Sequence, residues 1–170
     1  MSSLDRYLAE FAEHGLQDGD EQRFRTVWER LESAYFARVA LATEPWGEWR
    51  DRFRAGAQET ARLVEDFPQA ARFLIVDAIA AGDLARERHR LLVSRLVALI
   101  DTARAELAEP EKVPESTAGW IVAMFFDRIY RRCTSNLPPD LPSQVPELMF
   151  LAISAYFGTE AGLEELIRGA

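Results

Sequence analysis

Lysine occurs once in this chain of 170 residues, at Lys112, and cysteine once, at Cys133. A lone cysteine excludes an intrachain disulfide and a zinc site built on several thiolates. It suits a reducing compartment, so a cytoplasmic location is the expectation. Histidine is limited to His14 and His89, each among charged residues, and both read as surface imidazoles rather than as metal ligands or general bases. The Glu29 and Glu32 pair has helical spacing but no matching histidines, and reads as a solvated face, not a di-iron site. No P-loop, glycine-rich dinucleotide turn, H-E-x-x-H or G-x-S-x-G occurs, so the sequence predicts no enzyme, no metal and no cofactor. No apolar run is long enough to cross a bilayer, and charges interrupt the first residues before a signal-peptide core forms, so no membrane association is expected.

Positive charge is also in deficit. With 28 acidic and 20 basic residues the formal charge is −8, which repels polyanions at long range. Two arginine clusters, Arg86, Arg88 and Arg90, and Arg128, Arg131 and Arg132, sit among acidic residues at helical spacing and read as ion-paired helix faces.

What is present is helix. Hydrophobic residues make up 48% of the chain, enough for a core, and their spacing follows the helical period rather than the strand period. A short first helix carries Leu4, Tyr7, Leu8 and Phe11 behind an S-x-x-D box at Ser2, and the turn Asp18, Gly19 and Asp20 follows. Phe24, Trp28, Leu31, Tyr35 and Val39 form one stripe from Glu21 to about Thr43; Trp49, Phe53, Ala57, Ala61 and Val64 form the next. Pro68 opens a fourth helix that Gly82 ends, and Leu84 to Leu107 reads as one long helix before an exposed loop over 109–115. The prediction is an all-α fold of about seven or eight helices: a short N-terminal helix and turn over 1–20, then one domain over 21–170.

The stretch from Ser116 to Phe157 carries more apolar surface than one core can cover. It reads as two helices joined by a loop with Pro138, Pro139, Pro142 and Pro146. Val122, Phe125, Phe126, Ile129, Tyr130 and Cys133 share one face of the first helix, yet Trp120, Ile121 and Met124 continue apolar on the other side. The second helix, with Leu148, Met149, Leu151 and Tyr156, is apolar on most sides, which points to cover by a partner as well as by its own domain. Asp77 interrupts the apolar run of the fourth helix and needs either an arginine or a polar contact to a bound ligand. The aromatic side chains, Tyr35 and Trp49 among them, fit either a filled core or the lining of a cavity.

Three stretches resemble the regulatory domain of TetR-family transcriptional repressors. They are Trp49-Arg-Asp-Arg-Phe-Arg-Ala-Gly56, the helix from Phe67-Pro-Gln-Ala-Ala-Arg to Asp77-Ala-Ile-Ala-Ala-Gly82, and Pro146-Glu-Leu-Met-Phe-Leu-Ala-Ile-Ser-Ala-Tyr156-Phe-Gly158. The likeness runs from about Arg23 to Thr159. It implies a homodimer in which the last two long helices of each subunit form a four-helix bundle, and a pocket for a small, mostly apolar effector among the middle helices. On that footing Trp28, Phe53, Phe73, Phe126 and Tyr130, with Asp77, are ligand-binding candidates. Trp120, Ile121, Met124, Leu148, Met149, Leu151 and Tyr156 are dimer candidates. The family's helix-turn-helix pattern has no counterpart before Arg23, so DNA is expected as a partner only through a segment missing from this chain. The expectation is a ligand-sensing and dimerisation domain, with a ligand-free interaction module as the alternative.

Overall fold

Apolar residues three and four positions apart give each predicted segment one sticky face, and those faces order the chain as helices. The structure, a computed structural model, describes residues 3–17, 19–135 and 140–168, and among them there are eight α-helices and no strand. Ser2, Asp18, Pro138 and Pro139 lie outside the described residues, so the first box, part of the first turn and part of the proline loop carry no structural account. The helices are α1 (Ser3–His14), α2 (Glu21–Thr43), α3 (Trp49–Asp66), α4 (68–80), α5 (Asp83–Asp101), α6 (Thr117–Thr134), α7 (Leu141–Phe157) and α8 (Thr159–Arg168).

Helix α4 is not uniform. An α-helical turn, Pro68–Arg72, runs into a π-helical stretch, Phe73–Asp77, and closes with Ala78–Ala80. Gly82 then adopts φ +101°, a conformation open to glycine and costly for other residues, and starts α5 in a new direction. The long helix expected over 84–107 is shorter as an α-helix: it tightens into a 3₁₀ stretch, Thr102–Glu106, because Arg104 turns to hold the following loop. Its guanidinium donates to the carbonyls of Pro110, Val113 and Pro114 at 2.7–2.8 Å while pairing with Asp101. Glu106 also reaches across the chain, accepting the Trp49 backbone N–H at 2.9 Å and satisfying one of the unpaired amides that begin α3.

Two of the four prolines placed in the loop belong instead to helix. Pro142 sits in the first turn of α7 and Pro146 lies inside it. A first-turn proline removes no helical hydrogen bond, and Pro146 forfeits one where the apolar packing of Val145, Leu148 and Met149 holds the helix together.

Two apolar clusters form the core. Tyr7, Phe11, Phe24, Trp28 and Phe73 make an aromatic knot of α1, α2 and α4, with Phe11 and Phe73 edge to face at 4.7 Å between centroids. Trp49, Ile75, Ile100, Val122, Ile129, Met149 and Ile153 form the second, around α3, α6 and α7. Leu96 and Phe126 touch the region where the two meet, and the candidate site lies there.

The arginines are ion-paired, but only Arg86 with Asp83, Arg90 with Glu87 and Arg131 with Asp127 pair along their own helix as expected; Arg88 reaches Glu29 on α2, Arg132 reaches Glu65 on α3 and Arg128 reaches Glu147 on α7. Glu32 departs from the solvated-face reading. It is mostly buried and accepts a hydrogen bond from Trp28 Nε1 at 3.0 Å while pairing with Arg95. His89 departs too. Its ring packs on Phe126 at 5.5 Å, and its Nε2 is buried without a hydrogen-bond partner, so burial lowers its pKa.

Candidate ligand cavity

Helices that present large rings and branched side chains to one another cannot interdigitate everywhere, and among the described residues two half-open cavities lie where the clusters meet. The larger, about 690 Å³, lies among α1 to α6 and is walled by Leu8, Val64, Ile75 and Leu92. Arg30, Arg38, Asp66 and Gln69, all exposed, ring its mouth. The second, about 380 Å³, lies among α2, α3, α5 and α6 against Val39, Phe53, Ala57 and Val122. Both fall within the range of about 300–1,000 Å³ typical of small-molecule sites.

The two chambers share five wall residues, Tyr35, Thr60, Leu96, Phe126 and Ile129. Tyr35 and Thr60 are the polar pair among them. Thr60 Oγ1 donates to the Gly56 carbonyl at 2.8 Å, one turn back on its own helix. Its proton is therefore engaged, and in the 3.1 Å contact between Tyr35 Oη and Thr60 Oγ1 the tyrosine is the donor. Phe36 packs edge to face on the Tyr35 ring at 5.1 Å and fixes its plane. Tyr35 is half-buried and lines both chambers. Burial pushes its phenol pKa up, so the hydroxyl stays protonated and able to donate.

Leu74 and Ile75 in the wall of the larger chamber belong to the π-helical stretch of α4. Such stretches break the regular ladder of helical hydrogen bonds and occur often at functional sites. Asp77, at the end of this stretch, lines neither chamber. It is paired with Arg72 at 3.2 Å, and burial still raises its pKa against that attraction.

The predicted site residues separate into distinct places. Phe126 lines both chambers and Phe53 lines the smaller. Trp28 and Phe73 are fully buried in the aromatic knot and line neither chamber. Tyr130 is 45% exposed and lines neither chamber. Tyr35 and Thr60 were legible in part: Tyr35 stood in the α2 stripe, and Thr60 is a hydroxyl beside Ala57, Ala61 and Val64 on the apolar side of α3.

Among the dimer candidates, Ile121, Leu148, Met149 and Tyr156 are buried in the chain's own core. Ile121, Met149 and Tyr156 belong to the cluster around α3, α6 and α7, where the Tyr156 ring packs 5.6 Å from Trp49, and Tyr156 also donates to Asp101 at 2.8 Å; α8 folds back along α7. Trp120, 76% exposed, Leu151 and the half-buried Met124 keep outward surface.

No protein-family model, curated protein or solved structure matches the chain. The likeness to TetR-type regulators therefore rests on the residue patterns. Among the described residues no helix is long and apolar enough to cross a membrane, and no group of histidine, cysteine and carboxylate side chains is arranged to hold a metal ion.

Proposed function

We propose that this chain is a ligand-sensing and dimerisation domain of a TetR-like transcriptional regulator, binding a small, mostly apolar effector in the two-chambered cavity. The observation that carries the reading is the pair of adjoining chambers with shared apolar walls and a single shared hydroxyl pair. A filled core of this size would not need them. The formal charge of −8 repels polyanions at long range, so the reading assigns operator binding to a helix-turn-helix segment outside this chain.

Sensing works by population shift. An effector that fits one spacing of α2, α4 and α6 better than another biases the domain toward that spacing by the difference in binding free energy, on the order of 1–3 kcal/mol. The π-helical stretch of α4 is the wall element best suited to yield, since its hydrogen bonding is already irregular. Homodimerisation through the outer sides of α6 and α7 would carry that change between subunits.

The test is binding of the neutral fluorophore N-phenyl-1-naphthylamine to the purified chain. Fluorescence enhancement is expected for the wild type and loss of it for Leu96→Trp, which fills the junction of the chambers. No enhancement with the wild type, or equal enhancement with a folded Leu96→Trp variant, would overturn the cavity reading.

A further inference from the structure

The chambers are chemically uneven, and the unevenness bears on what they take. The smaller chamber is lined by three threonine hydroxyls, each of which donates to a carbonyl of its own helix: Thr43 to Ala40, Thr60 to Gly56 and Thr102 to Leu99, at 2.6–3.0 Å. Glu32, in the wall of the larger chamber, is held by Trp28 and Arg95; of the other charged groups in the linings, Arg30, Arg38 and Asp66 are exposed and Arg52 pairs with Glu106. Tyr35 differs from all of these. Its proton rests on a side-chain oxygen that keeps its own bond to Gly56 whether or not the tyrosine stays. Turning the phenolic O–H toward a ligand therefore leaves no donor unpaired and removes only one of the acceptor contacts of Thr60.

Resting on the cavity reading above, we propose that the effector is an uncharged, elongated molecule with an apolar arm in each chamber and a hydrogen-bond acceptor, such as a ketone, ester or ether oxygen, between them. Tyr35 is the specificity-determining donor to that oxygen. A charged acceptor at the junction would face apolar walls, and two arginines of the linings, Arg38 and Arg52, are already paired with Glu59 and Glu106. A hydrocarbon would fit but use none of the directional bonding available. A midway acceptor satisfies both the walls and the hydroxyl.

The experiment compares two probes of nearly equal shape, 1,3-diphenylacetone and 1,3-diphenylpropane, which differ in one central carbonyl. Their dissociation constants are measured by displacement of N-phenyl-1-naphthylamine from the wild type, Tyr35→Phe and Thr60→Val, with folding checked by circular dichroism. In passing from wild type to Tyr35→Phe, the preference for ketone over hydrocarbon should fall about fivefold or more, the size of one lost neutral hydrogen bond, with hydrocarbon binding unchanged. In Thr60→Val the phenol loses its internal acceptor, and the preference should hold or rise. An unchanged preference in Tyr35→Phe, or an equal fall in Thr60→Val, overturns the assignment of Tyr35 while leaving the cavity in place. Absence of binding by the fluorophore and both probes to the wild type overturns the cavity reading itself, and this inference with it.

Discussion

Gly162 lies so close to Phe150 that a β-carbon at position 162 would stand 2.7 Å from the Phe150 carbonyl oxygen. This contact sets how α8 lies on α7, and a backbone oxygen cannot swing aside. Gly162→Ala is expected to destabilise the protein by about 1–3 kcal/mol, despite the better helix propensity of alanine. Gly119→Ala within α6, where nothing lies within 4 Å of the added carbon, should be neutral or stabilising by up to about 1 kcal/mol. Urea denaturation of both variants checks the contrast.

Glu165 fastens the same helix to α3. Its fully buried carboxylate accepts from Arg50 Nη2 at 2.8 Å and from Arg54 Nε at 2.8 Å. Removing it leaves two partly buried guanidinium groups without their main partner. Glu165→Ala should cost about 3–5 kcal/mol, and Glu165→Gln less, because the amide oxygen still accepts. Equal stability of wild type and Glu165→Ala in chemical denaturation would contradict this.

Glu65 joins α3 to the start of α7. Arg132 donates to both of its oxygens at 2.7–2.9 Å, and the Leu141 backbone N–H adds a bond at 3.1 Å. The Arg132 hydrogen bond is the main cause that lowers its pKa, with burial opposing. A lowered carboxylate pKa contributes stability that is fully present above the unfolded-state value, about 4.3, and is lost as pH falls toward the lower folded value. Thermal melts below about pH 4 should therefore show a shallower loss of stability in Glu65→Gln than in the wild type.

His89 acts at milder acidity. Burial lowers its pKa and its Nε2 has no partner, so the folded state binds the proton less readily than the unfolded chain. Stability is present above the ordinary histidine value, about 6.5, and falls as pH drops from there toward the lowered value. The slope of melting temperature between pH 7 and 5 (a window of about two units around that value) should flatten in His89→Phe. An unaltered slope would show that the ring titrates as freely as in the unfolded chain.

The proposed dimer rests on the outward side chains alone. Trp120→Glu together with Leu151→Glu should shift the sedimentation mass from dimer to monomer while the circular dichroism of a folded helical protein is kept. Leu148→Glu, by contrast, places a charge in the chain's own core and should unfold it. A wild-type chain sedimenting as a monomer would overturn the dimer.

Much of the fold was readable because helical periodicity is a local property. The α2 stripe ending at Pro45, the start of α4 at Pro68 and its stop at Gly82 follow from residue spacing and backbone preference. The site was less readable. Trp28 and Tyr35 lie on the same stripe of α2, yet one is sealed among rings and the other faces a void, and no spacing rule separates them. Ile121 and Trp120 are neighbours on α6, one buried and the other exposed, according to what crosses that helix.

The sequence by itself determined the all-helical class, the helix boundaries at Pro68 and Gly82, and the local ion pairs of Arg86, Arg90 and Arg131, because each depends on residues within a turn or two of one another. Tertiary structure alone decided that α8 covers α7, that Glu165 and Glu32 are buried, that α4 passes through a π-helical stretch, and that Tyr35 meets Thr60 between two chambers. Those outcomes depend on how surfaces distant in sequence fit, and on the volume left when they do not fit completely.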